Sequence, residues 1–98
     1  MEIKKAAMAG TFESSDITIS VQPNPKNEVV IKLKSSVEKQ FGDQIKKVIM
    51  DTLKKLDVKS AIVGANDKGA LDCVIKARVQ AAVMRAAGET KFNWEVEK

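Results

Sequence analysis

Apolar positions along the chain repeat with two different periods. Between Ile17 and Val21 they alternate, with Ile17, Ile19 and Val21 set against Thr18 and Ser20. That is the pattern of a strand buried on one face. The alternation returns at 28–34, where Val29, Ile31 and Leu33 oppose Val30, Lys32 and Lys34. A weaker run at 6–12 places Met8 and Phe12 on one side and Ala7 and Thr11 on the other, and Gly10 within it marks a bulge or a close backbone approach. The stretch Gln22-Pro23-Asn24-Pro25-Lys26-Asn27 reads as a turn, because its prolines fix φ and remove donors. These three runs predict an antiparallel meander with one covered face.

The period then changes. Phe41, Ile45, Val48, Ile49, Thr52, Leu53 and Leu56 recur at helical spacing, with the pairs Lys46-Lys47 and Lys54-Lys55 on the wet face. Ser35-x-x-Glu38 has the form of a capping box and marks the helix start, although Gly42 marks a bend or a later start. Residues 58–65 predict a fourth strand, so that helix and flanking strands read as a β-α-β crossover. Asn66-Asp67-Lys68-Gly69 predicts the cap of a second helix over 70–87, with Asp67 as N-cap and Gly88 closing the far end. Leu71, Ile75, Val79, Ala82 and Ala86 form its core stripe, Cys73 reads as a small buried hydrophobe, and Asp72 and Lys76 form an i,i+4 pair. A second flank, Val74, Ala77, Ala81 and Met84, has Arg78 and Arg85 beside it. It is either buried within the domain or turned toward a partner. In the segment 89–98, Phe92 and Trp94 stand among charges, and Trp94 docks on its own domain or anchors to a neighbour. The fold class expected is α+β: one small two-layer domain over 1–98, its mainly antiparallel sheet of about four strands covered by two helices in the order β-β-β-α-β-α.

Composition narrows the chemistry more than the fold. With no His and no Tyr, the usual general acid–base and every His-dependent triad or metal site are excluded. Cys73 is the lone cysteine, so an internal disulfide and a Cys-x-x-Cys pair are excluded too. Neither a G-x-G-x-x-G fingerprint nor a Walker loop occurs. Ninety-eight residues bury one core without the depth for an enclosed catalytic pocket. A non-catalytic binding or carrier module is therefore expected, with no bound metal. The formal charge of +4 favours an anionic partner, yet the basic residues are dispersed and the aromatics are three Phe and one Trp. A small basic nucleic-acid-binding module is thus the weaker alternative. No apolar run approaches the ~18 residues of a membrane span, and no secretory signal is evident, which makes the cytoplasm the expected location.

One stretch carries unexplained polarity. Gly10-Thr11-Phe12-Glu13-Ser14-Ser15-Asp16 lies between two predicted strands, so Glu-Ser-Ser-Asp falls at a hairpin tip. Ser and Asp initiate turns through local hydrogen bonds, and a hairpin tip is also accessible to another protein's active site. The two adjacent hydroxyls are equivalent on this reading.

The segments AGTFESSD, SSVEKQFGDQI and NDKGALDCVIKARVQA followed by RAAG resemble, in order and from about Ala7 to Gly88, the citrate lyase acyl carrier protein (gamma subunit) family. The resemblance implies that Ser14 is the covalent attachment point of a 2'-(5''-phosphoribosyl)-3'-dephospho-CoA arm. It further implies loading by a prosthetic-group transferase. Acetyl and citryl thioesters on the arm would be processed by an alpha (transferase) and a beta (lyase) subunit, cleaving citrate to acetate and oxaloacetate. A related family, the carrier subunit of malonate decarboxylase, is the alternative. Arg78 and Arg85, as cations, and Trp94 are expected contacts to the arm or to partners.

Overall fold

The computed structural model describes residues 1–35 and 38–88, residues 38–40 through their backbone. The expectations for Phe92 and Trp94 and for the segment 89–98 lie outside the described residues. Strands β1 (Ala7–Ala9), β2 (Ile17–Gln22) and β3 (Val29–Ser35) precede helix α1 (Glu38–Lys55), strand β4 (Ala61–Asp67) and helix α2 (Asp72–Ala87). The helices lie on one face of a four-stranded mixed sheet, α2 against β1 and β2, α1 against β3, and each against the other. This is the two-layer α+β architecture expected.

Strand order is β1-β2-β4-β3, which corrects the meander. β1 and β2 form an antiparallel hairpin, but β4 inserts beside β2 and β3 becomes an edge strand, parallel to β4. Two features explain the insertion. The connection at 23–28 is far longer than a two-residue hairpin turn, so it spans the extra strand spacing of about 4.8 Å without strain. The helix-facing residues of β4 (Ala61, Val63, Ala65, Asp67) are all buried, as a central strand requires, whereas Val29, Ile31 and Leu33 of β3 are only half-buried.

Helix α1 follows its predicted stripe from Ile45 onward, with Ile45, Val48, Ile49, Thr52, Leu53 and Leu56 buried and the paired lysines in solvent, whereas Phe41, the first residue of that stripe, is exposed. It runs unbroken through Gly42. Its C-terminus is a Schellman motif: Val58 N–H donates to the Leu53 carbonyl (2.9 Å), Asp57 N–H to that of Lys54 (3.0 Å), and Asp57 takes φ 56°. Val58 is therefore consumed in ending the helix, which is why β4 begins at Ala61 and not at Val58.

Helix α2 ends at Gly88 in the left-handed conformation, as expected. Its start differs. The N-cap position is Leu71, without a side-chain cap, and Asp67 is the last, buried residue of β4. Asp67 instead accepts from the Ser35 hydroxyl (2.8 Å) and from the Ala70 N–H (2.9 Å), closing the loop that leads into the helix. Leu71 and Cys73 are exposed, and Ile75 is the first fully buried residue of α2. Asp72 accepts weakly from Gln44 at 3.4 Å, and the expected pair with Lys76 does not form. On the second flank, Val74 and Ala81 pack against the domain's own core and Ala77 is exposed.

Candidate functional site

The hairpin tip joining β1 to β2 is held by backbone and side-chain contacts that all lie behind it. Gly10 sits at φ 106°, and a Cβ there would lie 1.9 Å from the Ile17 carbonyl oxygen, so no other residue lets the two strand ends approach this closely. Across the same gap the Thr18 hydroxyl donates to the Thr11 carbonyl at 2.8 Å. The chain then reverses over Glu13-Ser14-Ser15-Asp16, where Asp16 N–H donates to the Glu13 carbonyl at 3.3 Å. Ser15 has φ 65° and Ser14 a negative φ, the pattern of a type II turn. A non-glycine residue accepts this conformation only when its surroundings impose it. Here they do. Ser15 N–H donates to the Lys68 carbonyl (2.8 Å) and Lys68 N–H to the Asp16 carbonyl (2.9 Å), tying the tip to the loop after β4.

Asp16 is the anchor. Its carboxylate accepts four hydrogen bonds: from Arg78 Nε (3.0 Å) and a terminal Arg78 nitrogen (2.8 Å), from the Thr11 hydroxyl (2.6 Å), and from Ile17 N–H (2.7 Å). The Arg78 contact is a bidentate fork, which fixes orientation as well as charge. The guanidinium, then the Thr11 hydroxyl, then the Ile17 amide hold this carboxyl well below the usual carboxylate range. The Arg78 guanidinium is correspondingly pushed up by its carboxylate partner. A group so strongly committed to its anionic form is a poor proton acceptor near neutral pH. Asp16 thus positions the tip and does not activate a nucleophile.

With every anchor turned inward, Ser14 is left at the corner of the turn with its side chain exposed. Ser15 is exposed as well, but its backbone is bonded to Lys68. Of the other residues singled out from sequence, Arg78 is drawn onto Asp16, and exposed Arg85 donates to the Met8 carbonyl at 2.6 Å. Both arginines therefore brace the β1–β2 hairpin from α2. Trp94 lies outside the described residues. Sequence reasoning missed Asp16 and Lys68 as structural partners of the tip. An arginine set between two apolar stripes was the one available signal that a carboxylate must face it. Among the described residues no group of three or more His, Cys, Asp or Glu side chains gathers as a metal site.

The arrangement is a pair of exposed hydroxyls on a rigid mount. Such a hydroxyl is suited to be modified by another enzyme. Similarity agrees with this geometry. Residues 4–86 match the family model described as "ACP: Malonate decarboxylase delta subunit (MdcD)". The chain is 59% identical over 95 residues to the citrate lyase acyl carrier protein of Lacticaseibacillus casei, covering 97% of this chain and 93% of that one. It is 55% identical over 94 residues to that of Clostridium perfringens, covering 96% and 93%.

The chain belongs to the citrate lyase acyl carrier protein family.

A chain of a Pseudomonas malonate decarboxylase hetero-tetramer, crystallised with malonate, superposes with a TM-score of 0.66 over 86% of both chains at 15% identity. That likeness concerns the fold alone. Members named acyl carrier proteins are carriers, and a carrier needs no catalytic set of its own.

Proposed function

We propose that this chain is the acyl carrier subunit of a citrate lyase, loaded at Ser14 with a 2'-(5''-phosphoribosyl)-3'-dephospho-CoA arm through a phosphodiester. The observation that carries this reading is a pair of exposed serine hydroxyls, Ser14 and Ser15, at the corner of a fully braced turn, of which the family resemblance selects Ser14. The residues fit such a group: Ser14 is exposed at the corner of the turn. When attached, the arm supplies a thiol that carries acetyl and citryl groups between active sites. The chain's own residues do the positioning. Gly10 brings the strand ends together, Asp16 with Arg78 sets the angle of the tip, and the Lys68 backbone prevents it from swinging. A rigid base leaves the search for partner sites to the arm, where effective concentration depends on tether length.

Loading falls to a prosthetic-group transferase, and catalysis to the alpha (transferase) and beta (lyase) subunits. Arg85, exposed and using only part of its donor set on Met8, is available to a phosphate of the arm or to a carboxylate of a partner. Relatives at 55–59% identity favour citrate over malonate as the acid carried.

The test is reconstitution. The loaded chain, added to citrate lyase alpha and beta subunits, is expected to support oxaloacetate formation from citrate. Added to the catalytic subunits of malonate decarboxylase, it is expected to support no decarboxylation. The reverse outcome would move the chain to the malonate system.

A further inference from the structure

The helices cover one face of the sheet and leave the other open. Such a face is ordinarily a flat polar surface. Here it is shaped. The register places Met8 opposite Ser20, Ser20 opposite Gly64, and Gly64 opposite Lys32, in one line across all four strands. The middle of that line is low, because Gly64 has no side chain and a Cβ there would lie 2.6 Å from the Ser20 hydroxyl. The two ends stand up. On one side are Met8 and Phe12, 55% and 64% exposed. On the other are Lys32 and Lys34, both exposed, and neither has a carboxylate partner among the described residues. The result is an open groove of about 420 Å³ with an apolar wall, a polar floor and a cationic wall, and no acidic side chain lines it.

Resting on the carrier reading of Ser14, we propose that this groove is the resting place of the chain's own arm. The nucleotide base would lie against Phe12 and Met8 and the phosphates at Lys32 and Lys34. Position supports this occupant, since Phe12 is two residues from Ser14 and the groove starts at the foot of the tip. Charge and size support it as well. Residues two apart on one strand face are about 7 Å apart, so both ammonium groups can reach neighbouring phosphates. A volume of a few hundred Å³ suits a nucleotide-sized moiety. Contacts between exposed lysines and phosphate are weak and screened by salt, so they hold the arm between transfers without trapping it.

Amide spectra of the ¹⁵N-labelled chain, unloaded and loaded, test the proposal, with loading verified by intact mass. At low salt, loading is expected to shift the amides of Phe12, Ser20, Gly64, Lys32 and Lys34 in addition to those of the tip. The shifts at the four sheet residues should fall by at least half in 0.5 M salt. They should vanish in the Lys32→Ala/Lys34→Ala variant, with narrower ³¹P lines from the freed arm. Shifts confined to residues 11–16, or sheet shifts unchanged in the double variant, would overturn the proposal. Sheet shifts that appear only when partner subunits are added would also overturn it, in favour of a protein docking surface. If intact mass shows no adduct, it is the carrier reading that fails. The groove is then tested by adding dephospho-CoA at millimolar concentration to the unloaded chain, where shifts of the same amides support it and their absence overturns it.

Discussion

Two connections, 10–16 and 23–28, each fold around one buried polar residue, Asp16 in the first and Asn24 in the second. Their bracing differs in kind. Asn24 closes its turn mainly with its own neighbours, accepting from Lys26 N–H (2.9 Å) and donating to the Glu28 carbonyl (3.0 Å). Asp16 reaches 62 residues along the chain to Arg78, and its backbone bonds to Lys68. The 23–28 turn does have two bonds from the start of β4, from the Ser60 hydroxyl to the Asn24 carbonyl (2.7 Å) and from Ala61 N–H to the Glu28 carbonyl (3.0 Å), but its buried side chain is satisfied within the turn. A turn that must hold one hydroxyl at a fixed angle to the domain needs contacts from elsewhere in the fold, and the tip has them from α2 and from the loop after β4.

The sharpest way to break this contrast is at Gly10. Gly10→Ala forces a Cβ into the Ile17 carbonyl and is expected to cost about 3 kcal/mol in denaturant unfolding. Gly69→Ala, also at positive φ but in open space, should cost only ~1 kcal/mol. Equal losses would mean that φ, and not the close approach, limits the tip.

Arg78→Ala probes the long-range brace. The tip should lose its fixed angle, slowing loading by roughly tenfold as the hydroxyl is misplaced. The pH dependence is more diagnostic. Native Asp16 titrates well below the unfolded value of about 3.9, so its contribution to stability is complete above about pH 5 and is lost as pH falls through the native value. In the variant the native value returns toward the ordinary one. The stability gap between wild type and variant should therefore be widest above pH 5 and narrow below pH 4. A gap independent of pH from 2 to 7 would show that the carboxylate is not the partner that matters.

Asn24→Ala should do least. Losing the local closure is expected to cost about 1 kcal/mol, or about 5 °C in Tm, and to leave the loading rate unchanged. A slowed loading reaction would mean that the two turns are coupled through the sheet.

Much of this was legible from residues, and the rest was not for identifiable reasons. Alternation at Ile17–Val21 and at Val29–Leu33 gave the strands and their buried faces, and helical spacing from Ile45 to Leu56 gave α1. Alternation says which face is buried but not which strand lies alongside, so the place of β4 between β2 and β3 was beyond it. Val58 is apolar and buried in either role, and only the backbone bonds to Leu53 show that it ends a helix. Asp67 looked like an N-cap because Asp favours that position, but its partners come partly from Ser35, 32 residues away. Leu71 and Cys73 fit an apolar period yet stay exposed, while Val74 and Ile75 beside them pack into the core, a difference that periodicity alone does not carry. For the site, Ser14 at a hairpin tip could be read from its flanking strands. Its bracing could not, since Asp16 and Arg78 meet only in the folded domain.

The central claim is that one hydroxyl, that of Ser14, is offered for modification by a mount built to hold it. Intact-mass measurement on Ser14→Ala and Ser15→Ala, each incubated with the loading enzyme and its substrate, tests it most directly. The account predicts a folded Ser14→Ala chain at its unmodified mass and a Ser15→Ala chain carrying a single arm-sized addition. An addition on Ser14→Ala that is absent from Ser15→Ala would contradict it.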